Sequence, residues 1–349
     1  MAHGFLLILL ISSIISTNTH ACHQFERSPL LSFALTLSSF SLKWTSINCC
    51  RWKGITCNHD GWVTELLLPS KGLNDGMFLS SFGNLTHLIY LNLSHNSLYG
   101  SLETKVFLSL NRLEILDLSY NLLSGELPFS LLSSRIRTVN LGCSKLQILR
   151  AGNNNLSGLL PKDIYNATNL KKLHSLPIHS IDGVLPHHFG KLFKLKLITL
   201  DLNYLEGSLP PSLMNCTNLT ELHILSNNLE GDVSTFDFSR LSDLTNFDLR
   251  ANNFTGTLPR SLYSCTSLEV LGLSRNHLEG QIQPDIVSLK SLSFLSLSYN
   301  RLTNVTGSMR IMIGCKNLRT LVFARSFKVK AIPYDRTWRI LMDFKIFGT

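Results

Sequence analysis

Eight cysteines, twelve histidines and eight Asn-x-Ser/Thr tripeptides are the groups in this 349-residue chain with chemistry to offer. Four cysteines lie near the N-terminus: Cys22, then Cys49, Cys50 and Cys57 in the run CCRWKGITC. Cross-linking suits them, since no Cys-x-x-Cys or paired histidine completes a zinc site. The expected pairing is Cys22–Cys49 and Cys50–Cys57, one of the three that four cysteines allow. Each such bond contributes ~2–4 kcal/mol. Cys143, Cys216, Cys265 and Cys315 stand elsewhere, each eleven residues before a recurring position, at the place where other segments carry Leu192 or Leu289. They are read as buried free thiols, which behave as small hydrophobes.

No catalytic constellation accompanies them. The chain lacks a Gly-x-Gly-x-x-Gly loop, a phosphate loop, a kinase catalytic loop, a Gly-x-Ser-x-Gly elbow and a His-Glu-x-x-His motif. Asp343-Phe344-Lys345 lacks the glycine of a kinase metal-binding triplet, and His187-His188 reads as a solvated pair. The expectation is a non-enzyme with no cofactor and no metal.

The recurring position belongs to a repeat of 24 or 25 residues, LxxLxLxxNxLxG, often followed by xLP. Its signature position falls at Lys71, Asn96, Asn121, Asn154, His179, Asn203, Asn227, Asn252, Asn276, Asn300 and Ser326. The LxL pair alternates like a short strand with buried leucines. An inward asparagine can satisfy backbone groups of its own and the neighbouring coil, each of which costs ~1–3 kcal/mol if buried unpaired. Glycines such as Gly207 and Gly256 permit a turn, and Pro210 and Pro259 follow where no donor is needed. Stacked coils then make an α/β solenoid, curved, with a parallel sheet on its concave face and irregular or short helical segments on its convex face. The Gly-x-[Leu/Ile]-Pro element resembles the plant-type leucine-rich repeat.

The expected layout is a signal peptide over 1–21, an N-terminal cap over 22–62, about eleven repeats over 63–327 and a basic tail or incomplete repeat over 328–349. Trp44 and Trp52 can cover the open end of the first coil. The interval from Asn121 to Asn154 is too long for one coil, and Ile136, Val139 and Leu141 read as a compressed repeat near 134–145. At His179 the preceding leucines are one residue out of step.

Residues between the strand leucines should point into the concave face: Asp117, Tyr120, Arg150, Asp201, His223, Asp248, Arg250, Arg275 and Tyr299. Asp248, Arg250 and Arg275 form the expected contact cluster, with Asp201, His223 and Tyr299 as further ligand-face candidates. Glycan acceptors are Asn84, Asn92, Asn155, Asn166, Asn215, Asn218, Asn253 and Asn304. A glycan on Asn92, between two strand leucines, would block part of that face.

Composition agrees with a secreted repeat protein. Hydrophobic residues make up 44% and charged residues 16%, enough to bury a core. The apolar run Phe5–Ile15 is too short to span a bilayer and reads as a cleaved signal, and no second segment of spanning length occurs. Of the net +9, the last forty residues carry +7, counting nine basic residues against Asp335 and Asp343. No nucleic-acid motif accompanies this basic tail.

The cap run CCRWKGITC and the repeats resemble the extracellular part of plant receptor kinases and receptor-like proteins. Four stretches resemble the phytosulfokine and tyrosine-sulfated glycopeptide receptors: LRAGNNNLSG (Leu149–Gly158), DFSRLSDLTNFDLRANNFTGTLP (Asp237–Pro259), LSFLSLSYNRLTNVTG (Leu292–Gly307) and GCKNLRTLVFARSF (Gly314–Phe327). The resemblance covers about residues 22–330. It implies a receptor-like extracellular protein that binds a peptide ligand or a protein partner, such as another receptor ectodomain. It would be secreted, or at the plasma membrane as part of a full receptor. Such receptors have more repeats, an inserted island segment, a transmembrane helix and a kinase. The final FKIFGT reads as the first strand of an unfinished repeat, so the expectation is a shortened relative. A secreted inhibitor of pathogen polygalacturonases and a non-functional gene fragment are the alternative readings.

Overall fold

The structure, a computed structural model, describes residues 21–38, 42–77, 80–126, 145–160, 162–174, 181–327 and 345–346. Their central feature is a column of asparagine side chains. Asn121 Nδ2 donates to the carbonyls of Leu118 and Ser119 in its own coil and of Leu93 in the coil before, at 3.1, 3.3 and 2.9 Å. Its Oδ1 accepts from Leu98 N–H of that earlier coil at 3.0 Å. Asn96, Asn154, Asn227, Asn252, Asn276 and Asn300 repeat the pattern. One buried amide thus satisfies four backbone groups that water cannot reach. The residue before the asparagine turns the chain with a positive φ of about 55° at His95, Tyr120, Asn153, Leu202, Ser226, Ala251, Arg275 and Tyr299. None of these is glycine, so the ladder holds a strained backbone in place coil after coil.

The strands preceding these turns form one sheet of thirteen. Its first pair, Ile55–Cys57 with Val63–Leu67, is antiparallel; the rest are parallel. The leucines of each LxL pair are buried, as at Leu271 and Leu273, and the residue between them faces the concave side. Short 3-10 turns such as Pro211–Asn215 and Arg260–Ser264 make the opposite face, as the sequence implies. Two short helices, Thr104–Ser109 and Val305–Met312, replace them in two coils.

The segment after each asparagine is not merely a turn. It forms short strands, such as Tyr204–Ser208 and Asn228–Asp232, that pair into flanking parallel sheets of five, four and two strands. Gly207 and Gly256, with φ of 69° and 83°, bend these strands toward the convex turns. A Cβ on Gly256 would lie 1.8 Å from Asp232 Oδ1.

The structure bears on the two irregularities of the repeat. Strand Ile115–Asp117 pairs directly with Ile148–Arg150, and Asn154 Nδ2 reaches Leu118 O at 2.9 Å. No strand therefore stands between these two in the concave sheet. Ile136, Val139, Leu141 and Cys143 lie outside the described residues. At the second irregularity, strand Lys172–His174 is in register with both neighbours. Eight residues separate Leu173 from Ile181, against seven from Leu149 to Leu156. The extra residue falls within 175–180, which includes His179 and lies outside the described residues.

The cap is joined by Cys22–Cys49 and Cys50–Cys57. Asn48 Oδ1 accepts from both Cys22 and Cys50 N–H at 3.0 Å, tying the bridges to one point. Trp44 and Trp52 stack at 4.9 Å over the end of the first coil. Helix Gln24–Thr36 buries Leu30 and Phe33 against Phe82 of the second coil. Cys216, Cys265 and Cys315 are buried free thiols. The Cys216 and Cys265 thiols donate to Phe189 and Phe238 carbonyls of the coil before, and burial pushes them up to about 12 and about 11.

Glu26 is fully buried in this cap. Its Oε2 accepts from Val63 N–H at 2.7 Å, while Oε1 has no partner. Burial raises its pKa from 4.5 to about 7, partly opposed by the Val63 bond. The folded state therefore holds a proton that the unfolded state releases near 4.5. The stability this gives is fully present below about 4.5 and lost as pH rises through about 7. Thermal unfolding should thus show a cap less stable at pH 8 than at pH 5 by up to about 3 kcal/mol, and Glu26→Gln should flatten that slope. For the ladder, Asn252→Ala should cost at least about 2 kcal/mol in chemical denaturation by orphaning buried backbone groups, against under about 0.5 for an exposed control such as Ser239→Ala.

Candidate binding face

The parallel register lines up one concave row from successive strands: Asn92, Asp117, Arg150, His174, Thr199, His223, Asp248, Gly272 and Ser296. Neighbours stand about 4.8 Å apart along the sheet. Each polar side chain in the row must find a partner in its own or the adjacent coil, or in a bound molecule.

Near the N-terminal end the row opens into a cleft of about 260 Å³. One wall is His95 stacked on Tyr120 at 4.1 Å, both at the left-handed turns. Arg150 Nη1 meets Asp117 Oδ2 at 3.4 Å, and Asp117 Oδ1 accepts from the Ser119 hydroxyl at 2.6 Å. His174 completes the lining, with Ser94, Gly152 and Asn153. Gly152 stands where other coils carry Ser119, Arg250 or Ser274, so the cleft is open there for want of a side chain. Burial, then the charges of Arg150 and His223, lower the His174 pKa, so it is neutral at pH 7 and can both donate and accept. His174 escapes a reading of the repeat, because counting back from His179 puts it in a buried leucine position.

The expected cluster of Asp248, Arg250 and Arg275 divides into two. Asp248 is buried and takes Arg250 in a fork, with Nε at 2.8 and 3.0 Å from its two oxygens. This pair raises the Arg250 pKa, chiefly through the hydrogen bonds from the guanidinium to Asp248. Arg275 is no part of it; it sits beyond the strand at a left-handed turn, over the Tyr299 ring at 5.2 Å. Tyr120 and Tyr299 also occupy turns rather than strands. Asp201 is buried: its Oδ1 accepts from Leu225 N–H at 2.8 Å, and burial, opposed by that bond, raises its pKa. His223 Nε2 lies 3.3 Å from Glu221 Oε2. A residue that the sequence does not single out makes the Asp248–Arg250 fork possible: a Cβ on Gly272 would lie 2.8 Å from Asp248 Oδ1 and 3.1 Å from Arg250 Nε.

Among the sequons, Asn84, Asn155, Asn166, Asn215, Asn218, Asn253 and Asn304 are exposed. Asn92 lies half-buried at the head of the concave row, its Oδ1 accepting from Ser94 N–H and hydroxyl at 3.0 and 2.8 Å. Asn304 caps helix Val305–Met312 by accepting from Gly307 N–H at 3.0 Å.

Stacked coils of one motif, an inward asparagine ladder and a disulfide-pinned cap define a repeat solenoid with an open inner face. The chain belongs to the leucine-rich repeat family: residues 66–333 match its leucine-rich repeat region and residues 23–58 its leucine-rich repeat N-terminal domain. It is similar to phytosulfokine receptor 1 of Arabidopsis thaliana, 31% identical over 206 residues, 46% of this chain and 20% of that one. Receptor-like protein 3 of the same plant is 38% identical over 120 residues, 32% of this chain and 16% of that one. Among solved structures it is similar to the ectodomain of the Arabidopsis thaliana membrane receptor kinase GASSHO1/SCHENGEN3 in complex with Casparian strip integrity factor 2. The TM-score is 0.70 at 25% identity, covering 92% of this chain and 43% of that one. The chain spans about a fifth of the length of these two curated relatives and under half of that ectodomain. It thus resembles plant receptor-like ectodomains and their extracellular domains. No helix among the described residues is long and apolar enough to cross a membrane.

The role of Gly272 is open to test. Gly272→Val should destabilise the fold by about 1–3 kcal/mol in chemical denaturation through overpacking, and Asp248→Ala in the same background should recover part of that loss by emptying the space.

Proposed function

We propose that this chain is the ligand-binding part of an extracellular plant receptor-like protein, and that its concave face takes an extended peptide. The observation that carries the reading is the register-aligned row from Asp117 to Asp248, with the cleft between His95, Tyr120, Arg150 and His174 at one end. An extended peptide advances about 3.3 Å per residue, so several of its side chains can meet successive coils. Aromatic walls and an arginine supply the groups that dominate binding interfaces. Asp248, Arg250, Arg275, His223 and Tyr299 would line the later part of the track, and buried Asp201 would support it from below. The chain would act by binding alone, without turnover. Its place would be outside the cell, at the plasma membrane when joined to a membrane anchor. The receptor-like relatives favour this over an enzyme inhibitor. Glycans at the exposed sequons would leave the row clear, whereas one on Asn92 would crowd the cleft.

Phytosulfokine is the first peptide to try, given the similarity to its receptor. Titration calorimetry of the purified chain should show saturable micromolar binding, weakened about 10-fold by Arg150→Ala, a loss of about 1.4 kcal/mol. Binding that Arg150→Ala leaves untouched would remove the cleft from the peptide's path, and no heat up to millimolar peptide would refute phytosulfokine as the ligand.

A further inference from the structure

Within the repeats, positive charge is gathered on two adjacent coils. The chain carries +9, of which +7 falls in the last forty residues, leaving +2 for the first 309. Residues 171–196 hold five lysines against Asp182, a net +4, so the rest of those 309 residues stand at −2. Four of the five, Lys171, Lys191, Lys194 and Lys196, are exposed. They lie on the shoulder between the convex 3-10 turn Phe189–Lys191 and the strands Lys172–His174 and Leu197–Thr199. Among the described residues none of the four meets a carboxylate.

Coil stacking sets this arrangement. The N–H groups just ahead of the strands donate down a column, Lys171 to Gln147 O at 2.7 Å and Lys196 to Lys171 O at 2.8 Å, so Lys171 and Lys196 are neighbours one coil apart. The column is not basic on either side, with Glu114 and Gln147 before and Thr220 after. Amides and rings hold the lysines in place of acids. Lys171 Nζ donates to Gln147 Oε1 at 2.8 Å, and Lys194 Nζ to Asn169 Oδ1 at 2.6 Å. Lys191 Nζ stands 4.5 Å from the Tyr165 ring centroid, and Lys194 Nζ 5.9 Å from that of Phe193, whose ring is 48% exposed. Like charges in register on neighbouring coils repel, and a cation–π contact at an exposed ring offsets little of this. A linear polyanion laid along the shoulder relieves the repulsion, because its charges are spread along a chain and meet each ammonium separately. All four cations are lysines, point charges that accept a carboxylate from many directions, with no arginine fork shaped for phosphate among them. The bare Phe193 ring beside them offers a flat apolar surface to the C–H face of a sugar.

We propose that Lys171, Lys191, Lys194, Lys196 and Phe193 form a docking surface for an acidic polysaccharide, a chain with one carboxylate per sugar unit. The surface lies outside the inner row and does not depend on that row binding a peptide. In the full chain, binding of a fluorescently labelled oligogalacturonate is followed by anisotropy at low ionic strength, where exposed charges act furthest. The sequons at Asn166 and Asn218 border the surface, so the protein is used with its glycans and again after their enzymatic removal, and binding in either form counts. The expected result is saturable binding, weakened at least about 10-fold when Lys171→Gln, Lys191→Gln, Lys194→Gln and Lys196→Gln are combined, and by under about 2-fold when Lys328, Lys330 and Lys345 of the basic tail are changed to Gln instead. Phe193→Ala should weaken the oligogalacturonate about 3-fold and leave any binding of polyglutamate of equal charge unchanged. Unaltered thermal unfolding checks that each variant is folded. No binding in either glycan form, a loss that follows the tail lysines instead, polyglutamate bound as tightly as the oligogalacturonate, or an unmoved affinity in Phe193→Ala would each overturn the assignment. Oligogalacturonate bound by a chain that ignores phytosulfokine would leave the surface standing and remove only that peptide.

Discussion

Everything in this molecule hangs on a buried amide used four times over. A coil of about 24 residues has no core of its own, and its turn leaves backbone carbonyls pointing inward where water cannot follow. The asparagine column answers both problems at once. It closes each turn from within and bonds to the coil before it, as Asn252 does to Ile224 O at 2.8 Å. Leucine burial supplies the driving force for stacking, but leucines alone would permit coils to slip past one another. The amide, bonding to named carbonyls in two coils, fixes the register.

That register is what makes a surface. Because each coil advances by one strand spacing, the residue between the two strand leucines becomes one member of a straight row, and the residue before the asparagine one member of another. The first row is strand, and its charges settle with their neighbours, as in Asp117 with Arg150 and Asp248 with Arg250. The second is a left-handed turn whose side chains stack along the solenoid, His95 on Tyr120 and Tyr299 between two arginines. Small residues shape this surface as much as large ones: Gly152, between the two rows, opens the cleft and Gly272 leaves room for an ion pair.

The ends obey a different physics from the middle. The first coil has no neighbour on one side, so helix Gln24–Thr36, two tryptophans and two disulfides cover it. Glu26 ties the helix through Val63 to the second strand of the sheet, and a buried carboxyl with one oxygen unpartnered makes that junction sensitive to protonation. At the other end, Lys345 and Ile346 pair with Thr320 and Leu321 as a last parallel strand.

The amino-acid sequence by itself determined the solenoid, the inward asparagines, the disulfide-pinned cap and the burial of Cys216, Cys265 and Cys315, because each depends on spacing within a coil and its immediate neighbours. It placed Asp117, Arg150, His223 and Asp248 on the inner face for the same reason. It did not reveal the flanking sheets, since their hydrogen bonds join coils about 24 residues apart and leave no pattern inside one. Nor did it place His174, hidden by one extra residue at 175–180, or separate Arg275 from Asp248, because strand and turn positions read alike in a run of alternating residues. Tertiary structure alone decided which charges meet, for a contact between coils depends on where each side chain leans after the backbone register has been set.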